Sequence, residues 1–285
     1  MNLARETAEI YVPDGLEEDA ALARTTHLAI GAHQDDLEFM AGQPIIECYQ
    51  QPDRWFTGVV VTDGRGSPRA GLYASYTDDD MHAVRFKEQK KAAFVGEYAA
   101  QVFLDHPSSA VKDGHGGAAA DDLFAVLDAT RPDVVFTHNL ADKHDTHIGV
   151  ALEVIAALRR LPAGARPRQL VGCEVWRDLD WMCDDDKLVF DLSDHENLQA
   201  SLMGVFDSQI SGGKRYDLAT AGRRRAHATY FQSHGTDNAT GLSFGMDMTP
   251  LVEDDGLDPI AFVQGYVSRF ADEVTARLAR MSSEG

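Results

Sequence analysis

Three carboxylates and an imidazole fall within six consecutive positions, His33-Gln34-Asp35-Asp36-Leu37-Glu38, directly behind an apolar run. A catalytic zinc ion takes nitrogen and oxygen donors at about 2.0–2.2 Å, normally from three protein ligands, and leaves one position for water. His33 and Asp36 can supply two of those donors. The third must come from another loop on the same face, and the stretch behind Asp133–Thr137 offers His138, His144 and His147. A lone histidine beside a strand reads first as a hydrogen-bonded structural residue. Two acidic–histidine loops, each behind a strand-like run, favour a metal site instead. Mixed nitrogen and oxygen ligation also admits iron, manganese or cobalt.

Such loops need a scaffold that ends several strands on one side. His27 to Ala32 reads as a short buried strand entering the first loop, and Leu37 to Gln50 carries apolar residues at helical spacing. Phe56 to Thr62 is a β-branched run ending in Asp63-Gly64-Arg65-Gly66, followed by a charged amphipathic helix over His82 to Tyr98. Gln101 to Leu104 predicts a third strand, then a Gly-, Ser- and Ala-rich stretch and a helix from about Ala119 to Ala129. Asp133 to Thr137 predicts the strand that enters the second loop, and Ile148 to Leu158 a helix behind it. This alternation predicts a doubly wound, mostly parallel sheet with helices on both faces, a three-layer α/β/α arrangement. Ligands gather beyond the carboxyl ends of such strands.

Further strand-like runs lie at Leu170 to Val175 and Leu188 to Leu192, with helical patterns at Asp194 to Phe206, Leu218 to Ser233 and Ala261 to Met281. Gly235 to Gly245 is polar and glycine-containing and reads as a mobile or substrate-side loop. Residues 1–24 are acidic and alanine-rich, with a turn at Pro13-Asp14-Gly15, and read as an N-terminal extension. Residues 25–285 then read as a single domain with a helical C-terminal part.

With 26 Lys and Arg against 46 Asp and Glu, the formal charge is −20, a field that repels phosphate backbones and anionic lipid, so nucleic acid is not an expected partner. Cys48, Cys173 and Cys183 are an odd set without a CxxC pair, which argues for reduced thiols. No apolar leader and no stretch of ~18 uncharged residues is present, so a cytoplasmic protein without membrane insertion is expected. A dinucleotide site would need a glycine-rich turn behind the first strand; the carboxylates of Asp35 and Asp36 stand there instead and repel a pyrophosphate.

Ala32-His33-Gln34-Asp35-Asp36-Leu37-Glu38 resembles the AHPDDxE signature of the LmbE-like, or PIG-L, N-deacetylase family, and Asp142-Lys143-His144-Asp145-Thr146-His147 resembles its DxHPDH signature. The similarity runs over about residues 25–210. The resemblance implies a Rossmann-like fold, Zn2+ held by His33, Asp36 and His147, Asp35 as general base, and His144 facing the oxyanion. Zinc can lower the pKa of bound water to about 7 and polarise an amide carbonyl. Asp35 would take the proton and return it to the departing amine, with no covalent intermediate. Neither a GxSxG elbow nor a Cys–His arrangement competes with this chemistry.

Other positions carry expectations of their own. Glu38 is expected to be structural or to orient a ligand imidazole. Val61-Thr62-Asp63-Gly64-Arg65-Gly66 resembles the family's TxGExG, with Gly64 and Gly66 at the substrate mouth or simply in a turn. Arg85 and Glu88 match its RxxE, and Arg85 either hydrogen-bonds a neutral sugar or makes an i,i+3 surface ion pair. Ser208-Gln209 resembles an SQ element, although Phe206 stands where an imidazole is common. Asp145-Thr146 replaces the usual Pro-Asp, so one of these two is expected to hold His144 or a neighbouring group in its working tautomer. Ser108 occupies the place of a substrate-binding Asp. The implied reaction removes an N-acyl group, acetyl first, from an amino sugar or amino-sugar conjugate. The expected partner is accordingly a small-molecule N-acylated sugar or glycoconjugate, and a homo-oligomer is compatible with it. The alternative is an inactive metal-containing carbohydrate-binding or regulatory protein, against which the retention of Asp35 speaks.

Overall fold

A computed structural model describes residues 1–112 and 117–283. Its strands are β1 (Glu9–Tyr11), β2 (His27–Gly31), β3 (Phe56–Thr62), β4 (Ala100–His106), β5 (Val134–His138), β6 (Gln169–Cys173), β7 (Lys187–Asp191) and β8 (Leu242–Asp247). They form one sheet in the order β1-β4-β3-β2-β5-β6-β8-β7. The five strands β4-β3-β2-β5-β6 run parallel. β1 joins antiparallel at one edge; at the other, β8 pairs antiparallel with both β6 and β7. Every residue of β2 to β5 is buried, as strands covered on both faces require.

One face of the sheet is covered by α1 (Glu18–Ala23), whose Leu22 joins a core with residues from the helices that follow on that side. The other face carries α2 (Asp36–Met40), α3 (Gly42–Cys48) and α4 (Asp78–Val95), through Leu37, Ile45, Phe86 and Ala92. α5 (Ser108–Lys112), α6 (Ala118–Thr130) and α7 (Asp145–Arg160) return to the α1 side, with Val111, Leu123 and Val154 in its core. α8 (Glu196–Gly204), α9 (Asp207–Ile210) and α10 (Tyr216–Tyr230) follow β7, and Leu198 and Leu202 of α8 pack with the α2–α4 core. α11 (Pro250–Glu253) and α12 (Pro259–Ser283) end the described chain. The expected doubly wound α/β/α sheet is therefore present. Among the described residues no helix is long and apolar enough to cross a membrane.

Three expectations change. The helix predicted over Leu37 to Gln50 is two helices, α2 and α3. Pro44 has no N–H to offer Met40, and the guanidinium of Arg224 donates to the carbonyls of Glu38 (2.9 Å) and Phe39 (3.1 Å), replacing the helical donors there. The segment Gly235 to Gly245 is not wholly a loop, because Leu242 begins β8, inserted between β6 and β7. Residues 1–24 lie on the domain rather than ahead of it: β1 extends the sheet, and Ala21 and Leu22 are buried. Residues 113–116 of the expected Gly-, Ser- and Ala-rich stretch lie outside the described residues.

β3 lies on one side of β2 and β5 on the other, so the direction of winding reverses between β2 and β5. A crevice opens beyond the carboxyl ends of strands at such a switch point. The loops behind β2 and β5 are the two acidic–histidine stretches.

Candidate metal centre

The first loop is shaped by a backbone conformation unusual for its residue. Asp35 has φ 97° and ψ −29°, outside the wells comfortable for a residue with a Cβ. Its N–H donates to Gln89 Oε1 (3.1 Å), and Gln89 Nε2 in turn donates to Glu38 Oε1 (2.8 Å). Arg85, one turn before Gln89 on α4, donates to the Gln34 carbonyl and through Nη1 to Asp35 Oδ2 (3.3 Å). Gly64 (φ 68°) closes on the same loop from β3: a Cβ there would stand 2.4 Å from Gln34 Oε1.

Asp36 opens α2 with its carboxylate at the hub of the imidazoles. Oδ2 accepts from the His33 N–H (2.7 Å) and lies 3.3 Å from His33 Nδ1 and 3.5 Å from His147 Nε2. Ligands held tetrahedrally at about 2.0–2.1 Å stand roughly 3.3–3.4 Å apart, so these separations fit a small divalent cation. Asp142 faces the other ring nitrogen of His147, Oδ2 to Nδ1 at 3.1 Å, which directs the Nε2 lone pair toward Asp36. Asp142 also accepts the His144 N–H (3.0 Å) and so ties the second loop together.

The histidines of that loop separate by environment. His138 is fully buried at the end of β5, and its Nε2 accepts the Ala32 N–H (2.8 Å), so that lone pair is committed to the backbone. It also stands in a second grouping with Asp142 and His147, but there the Asp142 and His147 atoms already bond each other. His144 is half-buried just before α7, its ring 4.6 Å from that of His147 and 5.1 Å from that of His33, with Trp176 stacked beyond it.

Burial pushes the Asp35 carboxyl up to about 6, with Asp36 adding to the rise and Arg85 opposing it. Asp36 is equally buried, yet His147 and His138 hold it well below the usual carboxylate range. Burial and the charges of His147 and His33 lower His144, which favours its neutral ring. Burial would lower His147 too, but Asp36 and Asp142 raise it.

A cavity of about 520 Å³ opens over these groups, within the range of small-molecule sites. His33, Asp35, Asp36, Arg85, His144 and His147 all line it. Phe39, Trp176 and Tyr216 form an aromatic wall, and Gly64, Gly66, Ser108 and Gln209 reach it as well. Glu38 and Asp145 do not. Glu38 lies beneath the loop, accepting from Tyr98 (2.7 Å) and Gln89, and orients no imidazole. Asp145 is exposed in the first turn of α7, while Thr146 is buried with its hydroxyl unpaired, so neither holds His144. Arg85 and Glu88 form no surface pair: both are buried, and Glu88 accepts from the Ser208 N–H (2.7 Å) and hydroxyl (2.6 Å). No residue of 235–245 reaches this cavity.

Asp142 and Gln89 are the two positioning residues that sequence reasoning missed. Asp142 was visible as the first residue of the second motif. Gln89 carried only its i,i+4 spacing from Arg85 on the buried face of α4.

Residues 28–158 match the family model PIG-L, described as GlcNAc-PI de-N-acetylase. Its fold is shared with N,N'-diacetylchitobiose deacetylase from Pyrococcus horikoshii (TM-score 0.58, 17% identity, 77% of this chain and 83% of that one). A conserved protein from Thermus thermophilus aligns with TM-score 0.60 at 16% identity, over 82% of this chain and 99% of that one. The 4-carboxy-2-hydroxymuconate hydratase of Pseudomonas putida does so with TM-score 0.59 at 16% identity, over 79% and 96%. No curated protein matches the chain in sequence.

Proposed function

We propose that this protein is a metal-dependent hydrolase that removes an N-acyl group, acetyl first, from an amino sugar or amino-sugar conjugate. The observation that carries the reading is the convergence of His33 Nδ1 and His147 Nε2 on Asp36 Oδ2, at 3.3 and 3.5 Å, on the wall of a cavity that also contains Asp35. Because a hydratase shares the fold, the reaction is argued from the site and the family match rather than from architecture.

His33, Asp36 and His147 would hold the cation, with Zn2+ the first choice for this donor set. A divalent ion there supplies Lewis-acid polarisation of the acyl carbonyl and a water-derived nucleophile at neutral pH. Asp35 accepts the proton of the attacking water and delivers it to the amine nitrogen as the C–N bond breaks. Arg85 keeps that carboxylate oriented and anionic. His144, neutral by its surroundings, donates to the oxygen that gains charge. Trp176, Tyr216 and Phe39 offer flat apolar faces for a sugar ring.

Two variants separate the roles. Asp35→Asn should retain metal and lose ~10²–10⁴-fold in turnover, whereas His147→Ala should lose metal itself. Metal-replete His147→Ala, or near-normal turnover in Asp35→Asn, would remove these assignments.

A further inference from the structure

The C-terminal helix α12 is 25 residues long, and the apolar side chains it packs on the core, Phe262 and Tyr266, lie in its first half. Arg269 pairs with Asp186 at 2.8 Å. Beyond these contacts an apolar stripe faces solvent: Val267 (49% exposed), Phe270 (38%), Val274 (40%), Leu278 (63%) and Met281 (69%). Steps of three and four residues place all five along one side of the helix, where Phe270 and Val274 continue the row begun by Phe262 and Tyr266 beyond the edge of the body. A contiguous exposed apolar face marks an interaction surface.

We propose that this stripe is the dimer interface of the protein, covered by the same helix of a second copy running antiparallel. The stripe is symmetric about Val274. In an antiparallel pair centred there, Val267 meets Met281 of the second copy, Phe270 meets Leu278, and Val274 meets itself, the self-complementarity that a two-fold interface needs. The two bodies then sit at opposite ends of the helix pair. An interface made of two such stripes is at the small end of the specific class, below ~1,200 Å² in total, so the dimer is concentration-dependent. With a charge of −20 on each copy, it tightens as salt screens the repulsion.

Sedimentation velocity of the full chain across a concentration series is the test, with Val274→Arg placing like charges opposite each other and thermal melting confirming its fold. A dimer that Val274→Arg converts to monomer, and that strengthens with salt, is expected. Mixing Val267→Cys with Met281→Cys should give an oxidised cross-linked dimer, because only the antiparallel register brings those positions together. A parent chain that stays monomeric at the highest concentrations, or a dimer indifferent to Val274→Arg, overturns the proposal. A monomer that instead co-sediments with zwitterionic lipid vesicles through this stripe overturns it in favour of a lipid surface. None of these readings depends on the hydrolase assignment.

Discussion

The side-chain carbonyl of Gln89 accepts the backbone N–H of Asp35 at 3.1 Å and so holds Asp35 in a left-handed conformation that few residues with a Cβ adopt. The same amide donates to Glu38. One buried side chain on α4 thereby joins the backbone of the proposed general base to the helix that presents Asp36. Strain at such a position persists only where the surroundings over-determine it.

Gln89→Met should therefore lower kcat by roughly 10- to 100-fold through misplacement of Asp35, with KM and metal content little changed. Steady-state kinetics beside metal analysis checks this. Full activity in a folded Gln89→Met protein would make the contact merely structural.

Asp142 is expected to act through His147. Asp142→Asn keeps the shape but weakens the partner of Nδ1, and it should cost roughly 10- to 100-fold in metal affinity. Competition with a chromogenic chelator reads this directly; unchanged affinity would mean that His147 needs no orienting carboxylate.

Burial pushes the Glu38 carboxyl up to about 8, although Tyr98 and Gln89 both hydrogen-bond to it. Its folded-state value lies above the ordinary 4.5, so the folded form holds this proton more tightly than the unfolded chain does. The resulting stability is complete at low pH and is lost as pH climbs through about 8. Glu38→Gln retains the acceptor and removes the titration, so its stability relative to the parent should rise from pH 5 to pH 9, by on the order of a few kcal/mol. Urea denaturation at several pH values measures the difference, and parallel curves for the two proteins would contradict the assignment.

Arg224 is buried on α10 and donates to the Glu38 and Phe39 carbonyls and to Gln199 Oε1 (3.0 Å). It fills the break between α2 and α3 so closely that a Cβ on Gly42 would stand 2.7 Å from its Nη2. Arg224→Met leaves those acceptors unpaired and should cost about 3 kcal/mol of stability, readable by chemical denaturation. A change within about 0.5 kcal/mol, typical of an ordinary surface position, would show that water replaces the guanidinium.

The parts of this architecture that were legible in the sequence are those written in local pattern. β2 and β5 are short apolar runs that end in loops dense with carboxylates and imidazoles, and β3 is one that ends in a glycine-containing turn, so both strand and loop announced themselves. β8 was hidden because Gly241 and Gly245 flank and interrupt it, and Gly245 serves close packing against Val171 and Phe190 rather than a turn. At the break at Ala41, Pro44 stood in view, but Arg224, which takes over the freed carbonyls, is remote in sequence. In the site, His138, His144 and His147 were equivalent by spacing alone. What separates them is tertiary: the Ala32 N–H occupies one lone pair of His138, and Asp142 aims the other nitrogen of His147 at Asp36. Asp145 was credited with a role that its exposed position in the first turn of α7 does not support, since a carboxylate there is favoured by the helix dipole alone.

The most direct test of the proposed chemistry is primary-amine release from a panel of N-acetylated amino sugars by the metal-analysed protein, with and without chelator. Metal-loaded protein should release amine and stoichiometric acetate, and should lose both on chelation and regain them when Zn2+ is restored. Tightly bound metal with no release from any amide on the panel, or release that chelation leaves untouched, would contradict a metal-dependent N-deacylase.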